Sequence, residues 1–465
     1  MDVRRPWNER RYFTAELQVR GTGLDPAEER ILKVSTILKA AGFLIAWAVA
    51  GPAMATPWVV SGSAAAPWIE QKFVPEDGMP LAATGWSVAV HGDVAMVGAY
   101  YQTINGNQFQ GAVYVFAKTN GAWTQVQELT ADDGAGGDNF GTAVEFDGST
   151  ALIGAPGVSI QTQLLIGAVY VFTESGGVWT QSQKLMASDG AAVATFGITV
   201  GIQGSNALIG ASGAAIAGNN DQGAVYAFTE SGGTWTEGQK ITANDGVAYD
   251  QFGQQLAFQG TTAVIGADQA TYANQYPGPG AAYVFDLADG TWTQTQRLEA
   301  DDGVDADYFG RWAAIDGSTI VIGAPAAGGF QGAAYVFVNA RGSWAQSQKL
   351  VSDDGIPGDF FADAVAISGT TLLIGAPGAT LNNNPFTGAA YLYNEVGSSW
   401  TQGTKLTPSD GQYGDEFGFS VALEGNSTAL IGAPHPTDDG LNLPGAAYFY
   451  SNDAIFADGF DTVTP

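Results

Sequence analysis

The chain has no cysteine and only two histidines, His91 and His435. Without cysteine there can be no disulfide, thiolate nucleophile or Cys-ligated metal. Two histidines in different parts of the chain exclude a histidine-rich metal site. They also leave a nucleophilic triad little to draw on, since they lie in HGDVA and APHPTDD with no nucleophile motif beside them. No phosphate-cradling loop, dinucleotide fingerprint or zinc spacing occurs. Basic residues are scarce as well: 17 Lys and Arg stand against 46 Asp and Glu, a net charge of −29. Residues 1–55 hold 8 of the basic and 6 of the acidic residues, which leaves 9 basic against 40 acidic over 56–465, net −31. A surface of that sign repels nucleic acid and anionic lipid.

Long apolar runs are missing too. A membrane-spanning helix needs about 20 residues, and the run 40–55 (AAGFLIAWAVAGPAMA) has 16 and contains Gly51-Pro52. It follows Lys33 and Lys39 and ends in the small-x-small pattern Ala53-Met54-Ala55. It therefore reads as an export signal cleaved before Thr56, with no transmembrane span left in the mature chain. The preceding residues 1–30 make the leader longer than such a signal needs, so the true start is expected near Val34.

What the chain does have is tryptophan at a fixed period. Trp68, Trp123, Trp179, Trp235, Trp292, Trp344 and Trp400 are spaced by 55, 56, 56, 57, 52 and 56 residues. Each opens the same phrase, so one supersecondary unit is repeated, too small to bury its apolar face alone. In the copy after Trp123 the strand-like runs are WTQVQEL, FGTAVEF, ALIGAP and GAVYVF. β-Branched and aromatic residues fill the runs, while Gly, Asp, Asn and Ser fill the gaps. Asp147-Gly148, Gly176-Gly177 and Gly232-Gly233 have hairpin-turn chemistry, and no segment has helical spacing.

These runs predict an all-β fold, a seven-bladed β-propeller of four-stranded antiparallel blades. An open β-solenoid is the alternative. The expected blades are 85–129, 140–185, 196–241, 252–298, 309–350, 361–406, and 417–450 completed by 68–73. The last unit has only three strands, so the N-terminal strand supplies the fourth and closes the ring. Residues 1–55 are then leader, 56–67 linker, 68–450 propeller and 451–465 a tail. For that tail an appended strand, a sorting tag and disorder all stay open.

Phe-Gly stands at Phe140-Gly141, Phe196-Gly197, Phe252-Gly253, Phe309-Gly310 and Phe417-Gly418, with degenerate copies at Gly85-Trp86 and Phe361-Ala362. Gly-Ala-Pro follows at 154–156, 323–325, 375–377 and 432–434, with altered copies ending in Tyr100, Ser212 and Asp268. This pairing, followed by Gly-Ala-x-Tyr-x-Phe, resembles the FG-GAP repeat of integrin α-subunit propellers and related bacterial secreted proteins, over nearly all of 68–450. Family members of the integrin type hold calcium in an Asp-x-Asp-x-Asp-Gly loop between strands one and two. Here those links are as short as DGSTA and QGTTA, so the resemblance does not carry those sites over.

The repeated residues themselves read as scaffold. Gly and Ala let the inner backbones crowd around a narrow axis, and the Phe and Tyr-x-Phe rings fill the layers between blades. A Trp at seven identical positions marks core, packed into its own blade, rather than a ligand site. Function belongs instead to the face carrying the long, variable loops, those between strands two and three and those between blades.

Two residue sets meet on that face. The interblade loops all contain Asp-Gly, and five add Asp138, Asp250, Asp307, Asp359 or Asp415 two residues before the Phe position. Such oxygen-rich loops suit Ca²⁺, with Asp301, Asp302, Asp305 and Asp307 the densest set and Asp132, Asp133 and Asp138 the next. In the alternative reading Asp-Gly makes a turn and the later Asp caps backbone amides. The second set is aromatic: Tyr100, Tyr101 and Phe109, then Tyr272 and Tyr276, then Phe386, with asparagines beside them. Rings beside amides suit a sugar or a protein partner, or else pack within solvated loops.

The chain is thus expected to be an exported, non-catalytic binding or adhesion module, extracellular, at the cell surface or periplasmic. It would act as a monomer that needs no cofactor and presents loops on one face to an extracellular protein or polysaccharide. The alternative is a secreted polysaccharide lyase or hydrolase using acidic loop residues. Aromatics clustered with two facing carboxylates would favour the enzyme, and dispersed loops around an open mouth would favour binding.

Overall fold

The computed structural model describes residues 68–75, 79, 81–160, 164–270, 278–434 and 444–452. All lie in the second of the two units into which the chain divides, 64–465. The leader, the linker, His435 and the tail beyond residue 452 fall outside the described residues. Among those described, no helix is long and apolar enough to cross a membrane.

Seven four-stranded antiparallel meanders form the expected seven-bladed propeller. In blade 2 the strands run, from the axis outward, Ala143–Asp147, Thr150–Ala155, Ala168–Ser175 and Val178–Leu185. The second and third strands are buried on both faces and so read as continuous apolar runs (TALIGA, AVYVF). The outer strand faces water on one side and alternates, with Trp179 and Leu185 inward. The innermost strands touch their neighbours around the whole ring, blade 1 (Thr84–His91) meeting blade 7 (Ser420–Glu424).

Ring closure is as expected. The strand Ile69–Phe73 pairs antiparallel with Ala446–Ser451, from Ile69 opposite Ser451 to Phe73 opposite Ala447. It becomes the outer strand of blade 7.

One apolar layer lies at each joint. Between blades 1 and 2, Val113, Val115 and Leu129 pack against Ile153, Tyr170 and Trp179. Phe140 meets Tyr170 at 5.6 Å and Phe172 at 5.9 Å, edge to face. Each repeat Trp lies on its own blade and faces the preceding one. At the closing joint Trp123 stacks on Phe449 of blade 7 at 4.8 Å. Burying each such ring contributes roughly 1.5–3 kcal/mol, so the joints hold the ring together.

Blade 1 departs from the expected register. Its Phe-Gly place is held by Thr84-Gly85, not Gly85-Trp86. Thr84 bridges Gly445 in parallel, just as Phe196 bridges Gly167. The missing ring is replaced from the closing strand: Phe73, where the other outer strands end in Leu or Ile, packs on Phe116 at 4.2 Å and Tyr114 at 5.8 Å.

Candidate functional site

The residue after each Phe-Gly is held by the same turn in every blade. The residue before the Phe position is left-handed each time (Ala83, Asn139, Thr195, Gln251, Tyr308, Phe360 and Glu416, φ 53–59°). Its carbonyl accepts the amide of the residue three further on at 3.0–3.2 Å. That next residue opens the innermost strand, so the seven of them ring the axis on the loop-bearing face. The backbone is repeated but the side chains are not. They are Trp86, Thr142, Ile198, Gln254, Arg311, Asp363 and Phe419, seven different residue types.

Two arcs result. In the first, Phe419 of blade 7 meets Trp86 of blade 1 at 4.5 Å, and Trp86 meets Tyr100 at 4.4 Å. Tyr100 meets Tyr101 at 3.8 Å, and Tyr101 meets Phe109 at 4.8 Å. This aromatic ladder runs from the mouth of the axis, where Phe419 is buried, to the exposed ring of Phe109. Amides flank it: Asn107 Nδ2 donates to Gln110 Oε1 at 2.9 Å, and Gln102 Oε1 accepts the Met79 amide at 3.4 Å. The structure therefore brings together the predicted Tyr100, Tyr101 and Phe109 and adds Trp86 and Phe419. Phe386 holds the same place in the blade 6 loop as Phe109 in blade 1, two residues before a Gly and left-handed. Phe330 holds it in blade 5 and meets Phe360 at 5.6 Å. Tyr272 and Tyr276 lie outside the described residues.

The second arc is charged. Arg311 Nη1 donates to Asp268 Oδ2 at 3.3 Å, and its Nε lies 3.5 Å from Asp363 Oδ1. The two carboxyl side chains are 3% and 6% exposed, the guanidinium 24%. Asp268 takes the place of Pro in Gly-Ala-Pro, and its Oδ1 is buried without a hydrogen-bond partner. Burial pushes its carboxyl above the usual range, opposed only in part by Arg311. Asp363 adjoins Phe419 in blade order, so the two arcs are neighbours around one mouth.

The acidic loops are spent on the scaffold. Asp133 accepts Tyr170 Oη at 2.8 Å and Lys184 Nζ at 2.7 Å, with the ammonium 4.9 Å from the Tyr170 ring centre. Asp302 does the same with Tyr335 at 2.9 Å and Lys349 at 2.6 Å. Asp138 Oδ2 accepts the Ala135 amide at 2.8 Å, and Asp307 Oδ2 the Val304 amide at 2.9 Å, which is the capping geometry. The side chains of Asp132, Asp301 and Asp305 stand exposed. Among the described residues no three His, Asp or Glu come together as a metal-holding group.

At the other end of the axis, side chains tie neighbouring blades together. Asp316 Oδ2 accepts the Gly369 amide of the next blade at 2.6 Å, and Gln259 Oε1 that of Gly317 at 2.6 Å. At the mouth the side chains that follow the Phe-Gly place vary from blade to blade. That is the signal a comparison of the seven repeats offers, and the search for repeated motifs passes over it.

A family model described as the FG-GAP repeat matches residues 68–116, 123–172, 179–228, 235–285, 292–337, 344–393 and 400–450. A search of curated proteins finds no match.

Proposed function

The chain belongs to the FG-GAP repeat family, and from that premise we propose that it is an exported binding module whose mouth and adjoining loops take an extracellular glycan. FG-GAP propellers are typically non-catalytic scaffolds of binding or adhesion type. The observation carrying the reading is the ladder Phe419–Trp86–Tyr100–Tyr101–Phe109 with amides beside it. Tilted rings in contact that climb from a buried to an exposed end offer apolar surface to successive sugar rings, and the exposed Asn105 and Asn107 offer hydrogen bonds. The same face carries most of the exposed large apolar side chains, Met79, Leu164, Tyr249, Val304 and Phe330 among them.

The test is a glycan array with the 56–465 protein, followed by Trp86→Ala and Tyr101→Ala variants checked for unchanged thermal unfolding. Retention of a glycan by the parent and its loss in both variants supports the reading. Binding that survives both, or capture of a protein ligand only, overturns it.

The enzymatic alternative draws on Asp268 and Asp363, two carboxyls on the same mouth. Both are buried and turned to Arg311, whereas a general acid or nucleophile must reach the glycosidic oxygen or carbon. Reducing-end release from any bound glycan, abolished by Asp268→Asn, would favour the enzyme instead.

A further inference from the structure

We infer that Asn426 is the attachment site of an N-linked oligosaccharide, at the end of the axis away from the mouth. The inference rests on the export part of the reading above and not on glycan binding.

Asn426 is an extra residue that blade 7 alone carries. In blades 1 to 6 the links between first and second strands read HGDVA, DGSTA, QGSNA, QGTTA, DGSTI and SGTTL. In blade 7 the link reads EGNSTA, the same pattern with asparagine inserted after the glycine. The insertion leaves the scaffold as it was. Glu424 pairs with Thr428 and Ser420 with Gly432, as Asp147 does with Thr150 and Ala143 with Gly154. Gly425 has φ 58°, close to the 57° of Gly148. The turn is held through its backbone carbonyls: Asn452 Nδ2 donates to that of Asn426 at 3.2 Å, and the Asn452 amide to that of Ser427 at 3.1 Å. Asn426 itself is exposed. Strand register therefore does not call for the extra residue.

What the insertion creates is an acceptor. Asn426-Ser427-Thr428 is an Asn-x-Thr sequon, the unit recognised for N-glycosylation in an exported chain. No other asparagine of the chain is followed two residues on by Ser or Thr. Glu424 stands two residues before Asn426, where bacterial oligosaccharyltransferases demand an acidic residue as well. The donor is a polyprenyl-diphosphate-linked oligosaccharide. Asn426 Nδ2 bonds to the sugar C1 and gives up a proton, the C1–O bond breaks, and polyprenyl diphosphate leaves with the bonding pair.

The fold fixes when this happens. The enzyme must also reach the Thr428 hydroxyl, yet Thr428 opens the second strand of blade 7 and is 4% exposed. Transfer therefore precedes closure of blade 7, the last blade in chain order, which the strand Ile69–Phe73 completes. On the finished ring the sugar stands opposite the mouth and leaves the aromatic arc clear.

The experiment exports the full chain from a bacterial host holding a bacterial oligosaccharyltransferase and one lipid-linked oligosaccharide of known mass. A second EGNST appended after Pro465 reports that the enzyme is active. Intact mass and peptide fragmentation of the exported protein should show one oligosaccharide on Asn426 besides the one on the reporter. Asn426→Gln and Thr428→Val should each lose it, and Glu424→Gln should lose most of it. Asn426→Gln should leave the unfolding temperature of the unglycosylated protein unchanged. Purified folded protein, given enzyme and donor, should take sugar on the reporter alone. Sugar on the reporter and none on Asn426 in the exported protein overturns the site. Folded protein modified at Asn426 as fast as at the reporter overturns the order of events. A full chain that stays in the cytoplasm overturns the export reading, and this assignment with it.

Discussion

Gln127 grips Trp179 across the joint between blades 1 and 2. Its Oε1 accepts the Trp179 amide at 2.9 Å, and its Nε2 donates to the Trp179 carbonyl at 2.7 Å. The same two-sided contact joins Gln71 to Trp123, Gln183 to Trp235, Gln239 to Trp292, Gln296 to Trp344 and Gln348 to Trp400. In blade 6 the position four residues after the repeat Trp, held by glutamine in blades 1 to 5, is occupied by Thr404. Gln183→Leu should lower stability by about 1–3 kcal/mol, since it leaves two half-buried backbone groups unpaired. Thr404→Gln should raise it by about 0.5–1.5 kcal/mol by supplying the seventh grip. Urea unfolding of both variants checks the pair, and a Thr404→Gln protein no more stable than the parent would sink the second half.

Phe73 fills the room that Thr84 leaves in blade 1, 4.2 Å from Phe116. Phe73→Leu restores the residue type used in most other outer strands, but here it opens a cavity. The expected cost is about 1–2 kcal/mol. Thr84→Phe added to Phe73→Leu should recover part of it, as read by thermal unfolding.

Gly167 has φ +86°, and a Cβ there would lie 2.0 Å from the Phe196 carbonyl oxygen of the next blade. Gly176 has φ +62° with nothing within 4 Å. Gly176→Ala should cost only the left-handed strain, about 1–2 kcal/mol. Gly167→Ala adds a backbone clash at a blade joint and should cost roughly 3 kcal/mol or more. Equal losses in the two variants would mean that close approach at the joint is not what fixes Gly167.

Stability should peak at mildly acidic pH. Glu145 stands on the inner strand of blade 2, where most other blades have Ala, and burial raises its carboxyl to about 7. Its folded value lies above its unfolded value, so its ionisation cost is full above pH 7. That cost is relieved as pH falls towards the unfolded value near 4.3. Asp302 is opposite in sign. The Lys349 bond holds it below the usual range, so its contribution is full above the unfolded value near 3.9 and disappears as pH falls through the folded one. Unfolding temperature should therefore rise from pH 8 to about 5 and drop below about 4. Glu145→Gln should abolish the rise, and Lys349→Gln should soften the drop.

Asp302 and Asp307 already serve Tyr335, Lys349 and the Val304 amide. Calorimetric titration with Ca²⁺ should accordingly give no heat, and a chelator should leave the unfolding temperature unchanged. A calcium-dependent rise that Asp301→Asn removes would show instead that the exposed acids recruit the ion.

The scaffold was legible because its signals are local and repeated seven times. The Trp period marked each outer strand, the apolar runs marked the buried strands, and the three-strand last unit implied the closing strand. The later Asp as an amide cap was also readable, because Asp138 and the Ala135 amide lie three residues apart. The Asp–Tyr–Lys groups were not, because Asp133, Tyr170 and Lys184 come from a loop and two strands. Blade 1 misled for a related reason: with Thr84 in the Phe place, only the bridge to Gly445 fixes its register.

For the candidate site, the sequence by itself determined that variable loops share one face and that Tyr100, Tyr101 and Phe109 lie in one of them. Only the tertiary structure decided that Phe419, from the last blade, meets Trp86, from the first, and that Asp268, Arg311 and Asp363 form one charged arc beside them. A repeat fixes the backbone position of each residue within its blade. Which side chains become neighbours around the axis is set by how the blades follow one another and by closure of the ring.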